Sequence, residues 1–395
     1  LELEDLDPAS LSVPKIGAIP ESEMPSGSHS PAFAPDDVLR VSIFLNTPST
    51  VDAGYSTSSI GTNSAAIAYR NALKRQQASL TASIESAIGH TLDVKWNLTL
   101  LVNAISANVT YRDYLLISAM KNVKAVEIEN CYTPQTDSTM TSNTSTYMTG
   151  AAAAWTEGYT GAGSRIAVID TGIDPTHQSF AGDAFDYAIA KVEEEKGAEL
   201  DLLEEADYAA LDLNGEGTYL SSKIPYAYNY VDGDTTVDHI HDFQGEHGSH
   251  VAGIAAANRY IQSGEEYVDA VDAVAAVGMA PDAQLLVMKV FGAGGGAYDS
   301  DYFAALEDAI LLGADAANLS LGSAAPGFTY DNAYQDVLNA LASADNEKMV
   351  VSISAGNSGA FTDATYTDLF IDDVNMDTLG SPASYINSLS VASAD

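Results

Sequence analysis

Four short runs in the second half of the chain constrain its fold more than any other feature: RIAVID at 165–170, QLLVMKV at 284–290, AANLSLG at 316–322 and VVSISAG at 350–356. Each is apolar almost throughout where a half-exposed strand would alternate, so each predicts a strand covered on both faces. The run DYFAALEDAILLG at 301–313 has helical spacing and a closing glycine, Gly313. Strands of this kind separated by helices predict an α/β domain whose sheet is mainly parallel and flanked by helices, with function at the carboxyl ends of the strands. That rule places Asp170, Ser320 and Asn357 on one edge.

The first part of the chain has a different character. Residues 1–37 are rich in Pro, Ser and acidic residues without a sustained period and read as an extended leader. From Val38, VLRVSIFL reads as a strand, and residues 65–87 carry Ile67, Leu73, Leu80 and Ile84 at helical spacing, continued by Ile88. Two further apolar stretches flank YRDYLLISAM, and the last ends in a strand at 123–128. The order strand, helix, strand, helix, strand predicts a small α/β module over 38–130. The polar run CYTPQTDSTMTSNTSTY at 131–147 reads as a linker to a larger domain at 148–395, within which 191–216 is strongly acidic and reads as a solvated surface insertion.

Sixteen basic residues against fifty-five acidic ones, a formal charge of −39, would repel a nucleic-acid backbone and exclude that class of partner. The single cysteine, Cys131, permits no internal disulfide and reads as a plain thiol. No apolar run reaches the roughly 18–20 residues of a membrane span. Residues 1–10 are acidic and lack the features of a signal peptide, so a secreted form would have one outside these residues.

Hydrolysis of a peptide by a hydroxyl needs a base to take its proton, an acid to hold the imidazole in the right tautomer, and a donor facing the developing oxyanion. Asp170, at a strand end in TGID, is by itself either a turn residue or such an acid. GEHGSHVAGIAAA at 245–257 brings His247 and His250 three residues apart at the start of a small-residue helix; HxxH without the intervening Glu of a zincin is a weak zinc signal. Asn357 in SAGNSG fits a turn or an oxyanion donor. The glycine runs GAGS at 161–164 and GAGGGA at 292–297 lack the spacing and setting of a dinucleotide fingerprint.

The runs AVIDTGI (167–173), HGSHVAG (247–253), APDAQLLVMKV (280–290), NLSLG (318–322) and SAGNSG (354–359) resemble, in order, the successive signature segments of the subtilase family. The resemblance implies a subtilisin-like sheet with Asp170 as triad aspartate, His247 as triad histidine, Asn357 as oxyanion asparagine and His250 as a structural neighbour. It makes Ser320, Leu321 and Gly322 the edge that pairs with the backbone of a peptide or protein substrate, by strand addition. Ser320 is not the family's nucleophile, and Ser358 stands where the family uses none. The family's GTSMA-like segment does not occur in 1–395. The larger cell-envelope subtilases, of the lactocepin and streptococcal complement-factor peptidase type, carry an inserted domain soon after a segment like SPASYINSLSVASAD (381–395), so the serine is expected on the protein's own downstream polypeptide.

The module at 38–130 resembles the family's inhibitory prodomain, whose tail lies in the substrate cleft. The implied function is that of an extracellular serine endopeptidase, attached to a cell wall through a region beyond this chain, with no cofactor for its chemistry. Metal ligands are not assigned; Glu265, Glu266, Asp269 and Asp272 in the loop at 259–277 offer hard oxygens for structural calcium. The alternative is an inactive relative that binds peptides or scaffolds a surface assembly, against which the retention of Asp170, His247 and Asn357 argues.

Overall fold

The computed structural model describes residues 33–134, 149–240, 242, 244–274, 277–322, 338, 341, 349–357, 380–384 and 389–392. Most of the leader (1–32), the linker from 135 to 147, Ser358 and the side chain of Asp272 lie outside the described residues.

The N-terminal module is a four-stranded antiparallel sheet, in which β1 (Val38–Phe44) lies between β3 (Ala104–Thr110) and β4 (Ala125–Ile128), with β2 (Asp93–Leu98) outside β3. The helices α1 (Ser64–Ile88) and α2 (Tyr111–Ser118) cover one face, meeting Val41, Ile43, Ile105 and Ala107. β2 is the strand that the order strand, helix, strand, helix, strand leaves out; its Asp93, Lys95 and Asn97 alternate with Val94, Trp96 and Leu98, as in a half-exposed strand. The Asn63 side chain accepts the Ala65 and Ala66 amides to start α1, and Gly89 at φ +82° ends it. The buried stripe of α1 is Ala66, Arg70, Leu73, Gln77, Leu80 and Ile84, whereas Ile67, expected in it, is 37% exposed. Two polar side chains take core positions there because they are bonded: Gln77 Nε2 donates to the Leu98 carbonyl at 2.7 Å, and Arg70 Nη2 donates to the Asp212 carbonyl at 3.0 Å. Residues 33–37 lie against α2, with Phe33 on the Tyr111 ring and Asp36 paired with Arg112 at 2.9 Å.

A short strand, β5 (Cys131–Pro134), leaves the module. After α3 (Ala151–Thr156) comes β6 (Arg165–Asp170), in the middle of a six-stranded, wholly parallel sheet. Its partners are β10 (Gln284–Lys289) and β7 (Tyr226–Asn229) on one side, and β12 (Ala316–Leu319), β14 (Val350–Ser354) and β15 (Leu389–Val391) on the other. Both faces are packed: Ala167 and Ile169 point into the core that holds Phe303 and Leu306, and Val168 points to the opposite core with Ala252 and Ala256. Those residues belong to α7 (Asp299–Leu311) and α6 (His247–Ala256), one helix on each face. A hairpin of β8 (Tyr260–Ser263) and β9 (Glu266–Asp269) follows α6, and β11 (Ala297–Tyr298) and β13 (Leu321–Gly322) are short strands at the carboxyl end.

The acidic run 191–216 contains the end of α4 (Gly182–Lys196) and the single turn α5 (Glu205–Tyr208), and it buries Leu203 and Tyr208 in the main core. Its far end is tied down from both sides. Lys74 of α1 donates to Asp212 at 2.6 Å, and the Asn214 and Gly215 amides donate to Asp308 of α7 at 2.7 and 2.9 Å.

Candidate active site

The parallel register sets Ile169, Leu319 and Ile353 side by side, so Asp170, Ser320 and the turn after Ser354 emerge on one edge of the sheet. Asp170 is 1% exposed. Its Oδ1 accepts the Thr171 amide at 2.6 Å and lies 2.7 Å from His247 Nδ1. An ionised carboxylate only accepts, so the Nδ1–H donates to Asp170, and the basic function of the imidazole falls to Nε2.

His247 reaches this position because α6 begins against the β6 turn. The Gly248 amide donates to Thr171 Oγ1 at 2.8 Å, and a Cβ on Gly248 would stand 2.1 Å from the Gly172 carbonyl oxygen. Gly172 itself has φ +102°, a conformation that favours glycine. His250, one turn along α6, is half-buried, and its Nε2 is buried with no hydrogen-bond partner among the described residues. Burial pushes its pKa below the ordinary histidine value, assisted by the neighbouring His247.

On the same edge, Ser320 Oγ donates to Asn318 Oδ1 at 2.9 Å, which turns the hydroxyl back into its own strand. Leu321 and Gly322 follow as β13, both buried. Asn357 lies just beyond Gly356 (φ +99°) in the turn after β14, with its residue exposed. The fold thus brings Asp170 and His247 into direct contact and places Ser320 and Asn357 on the flanking turns.

The edge strand β13 is occupied. β5 runs antiparallel between β13 and β11, pairing Pro134 with Leu321, Thr133 with Gly322 and Tyr132 with Ala297. The module that delivers β5 docks on α7, all of whose residues are buried. Glu307 Oε1 accepts the Leu100 and Leu101 amides at 2.7 and 2.8 Å, and Asp301 accepts Trp96 Nε1 at 2.8 Å. The Ser300 hydroxyl donates to Glu129 at 2.8 Å, and Asp299 accepts the Asn130 amide at 2.8 Å. Burial raises Asp299 and Asp308 to about 7 and Asp301 to about 6.

Lys289 is a neighbour of the dyad that the sequence pattern does not reveal as such. It ends β10 opposite Asp170, is buried, donates to the Thr171 carbonyl at 2.6 Å and forms an ion pair with Asp242. A lysine closing an otherwise apolar strand is the one signal that could have marked it. Of the acidic residues considered for calcium, Asp269 accepts the Val271 amide at 2.9 Å, and no group of three or more His, Cys, Asp or Glu set to hold a metal occurs among the described residues. No helix among the described residues is long and apolar enough to cross a membrane.

The Subtilase family model matches residues 161–395. The PI-type proteinase of Lactococcus lactis subsp. cremoris is 33% identical over 333 residues, an alignment covering 81% of this chain and 15% of that protein. The C5a peptidase of Streptococcus pyogenes is 32% identical over 236 residues, covering 59% of this chain and 18% of that one. The chain therefore spans less than a fifth of the length of these curated relatives. Among solved structures, the epidermin leader peptide processing serine protease of Staphylococcus aureus aligns over 91% of this chain and 70% of its own, at 18% identity and TM-score 0.48.

Proposed function

The chain belongs to the subtilase family, and from that membership we propose that it forms the part of a serine endopeptidase that supplies the general base, the acid orienting it and the substrate edge. The observation that carries this reading is the contact of the half-buried His247 Nδ1 with the buried Asp170 Oδ1 at 2.7 Å, beside a strand edge able to hold a peptide.

In the reaction so read, an extended peptide or protein substrate pairs with Ser320–Gly322. A serine outside residues 1–395 attacks the carbonyl, and His247 Nε2 takes its proton and returns it to the leaving amine. Asp170 holds the tautomer and steadies the imidazolium, and the Asn357 amide donates to the oxyanion. The reaction asks for no cofactor. The module at 38–130 acts as the inhibitory prodomain, with β5 standing where a substrate strand would lie. The working location is extracellular, with wall attachment through a region outside these residues.

The test is steady-state kinetics on the full-length protein with a peptide substrate. A folded His247→Ala variant should lose turnover by several orders of magnitude, on the order of 10⁴ or more by analogy with other triad enzymes. Residues 1–395 alone should neither hydrolyse peptides nor be labelled by a fluorophosphonate. Turnover equal to wild type in His247→Ala would refute the role given to His247, whereas a folded full-length wild type without turnover would leave a peptide-binding scaffold as the better reading.

A further inference from the structure

Resting on the peptidase reading above, we propose that the pocket now filled by Tyr132 is a specificity pocket for tyrosine, with Asp299 as the residue that reads the substrate's phenol. β5 lies in the cleft as a middle strand, and Tyr132, paired with Ala297, is 0% exposed. A peptide that replaced β5 in the same register would send one side chain into the same enclosure.

The floor of that enclosure divides its contacts by atom. Asp299 Oδ2 accepts the Asn130 backbone amide at 2.8 Å and Asn130 Nδ2 at 3.1 Å. A main-chain amide of this kind is present in any peptide, so the first of these bonds carries no sequence information. Asp299 Oδ1 accepts the Tyr132 hydroxyl at 2.9 Å and the Tyr302 hydroxyl at 3.0 Å, and the rings of Tyr132 and Tyr302 meet edge-on at 5.8 Å. Tyrosine brings a ring for that edge contact and a donor at the tip of the ring, where Asp299 Oδ1 stands; tryptophan also has a ring and a donor, but its N–H lies on the flank of a wider bicycle. Phenylalanine would fill the volume and leave a buried carboxylate oxygen one donor short, and leucine would also leave a gap. A substrate carboxylate would meet Asp299 as a like charge.

The test is a digest of a mixed peptide pool by the full-length enzyme after removal of the module, with the cut bonds sequenced by mass spectrometry. Tyrosine should be enriched at one fixed position upstream of the cut bond. For matched peptides, kcat/KM should fall roughly 10- to 100-fold when that tyrosine becomes phenylalanine. Asp299→Leu should erase the tyrosine preference, read as the ratio of kcat/KM for the tyrosine and phenylalanine peptides falling to about one. If Asp299→Leu fails to fold, the tyrosine-to-phenylalanine comparison on the wild-type enzyme decides alone. Cuts with no preference at that position, or with arginine preferred, would overturn the proposal and leave the peptidase reading standing. A folded full-length enzyme that cuts nothing would remove both.

Discussion

Asp170 Oδ1 accepts from both the Thr171 amide and the His247 ring, so a single atom fixes the tautomer on which the base depends. Asp170→Asn keeps the shape but can present an N–H to Nδ1, which favours the wrong tautomer. We expect kcat to fall about 10⁴-fold with KM little changed, by the precedent of the same change in another triad. On the proposed reading Asn357→Ala should cost about 10²–10³ in kcat, because the oxyanion donor assigned to it is needed most in the transition state. His250→Ala should leave the rate near wild type and lower the melting temperature, because this ring is half-buried packing beside the dyad. Asp170 and His247 were legible in the sequence because each stands in a long distinctive run. Asp299 was not: an acidic residue in the first turn of a helix reads as a complement to the helix dipole, and nothing local tells that a tyrosine 167 positions earlier will bond to it.

At the scale of elements, the dyad depends on how closely α6 approaches the β6 turn. Gly248→Ala would drive a Cβ into the Gly172 carbonyl. It should destabilise the chain by about 1–3 kcal/mol by denaturant unfolding and loosen the His247 contact, seen as a loss of turnover beyond that of a surface glycine change. The parallel sheet and its flanking helices were legible because apolar runs and helical spacing are local properties. β2 was not set apart from β3, although its alternation of Asp93, Lys95 and Asn97 with Val94, Trp96 and Leu98 is that of a half-exposed strand. Arg70 and Gln77, both in the buried stripe of α1, were not legible as such because their partners, Asp212 and the Leu98–Ala104 stretch, are distant in sequence.

At the scale of the whole molecule, the module and the larger domain are joined through the buried carboxylates Asp299 and Asp301, and Asp308 on the same helix ties residues 214–215 of the larger domain to α7. Asp299 and Asp308 are raised to about 7 and Asp301 to about 6, chiefly by burial, with Glu129 adding repulsion to Asp299 and Asp301 and Arg40 relieving part of it at Asp301. A carboxyl whose pKa is raised in the folded state contributes stability that is full below its unfolded value near 4 and is lost as the pH climbs through 6 to 7. Lys223, lowered by burial to about 7, changes the balance only above that window. The thermal midpoint of residues 1–395 should therefore fall between pH 4.5 and pH 7, and Asp299→Asn should flatten the fall if the variant folds; a midpoint that rises over this range would contradict the assignment. The covalent continuity of β5 with both halves of the chain has a further consequence. On the proposed prodomain reading, while the backbone is intact the tail competes for the cleft at an effective concentration on the order of millimolar, whatever the protein concentration. A single cut between residues 134 and 149 would turn that local competitor into a dissociable one, whose hold on the cleft then depends on protein concentration as that of the uncut chain does not.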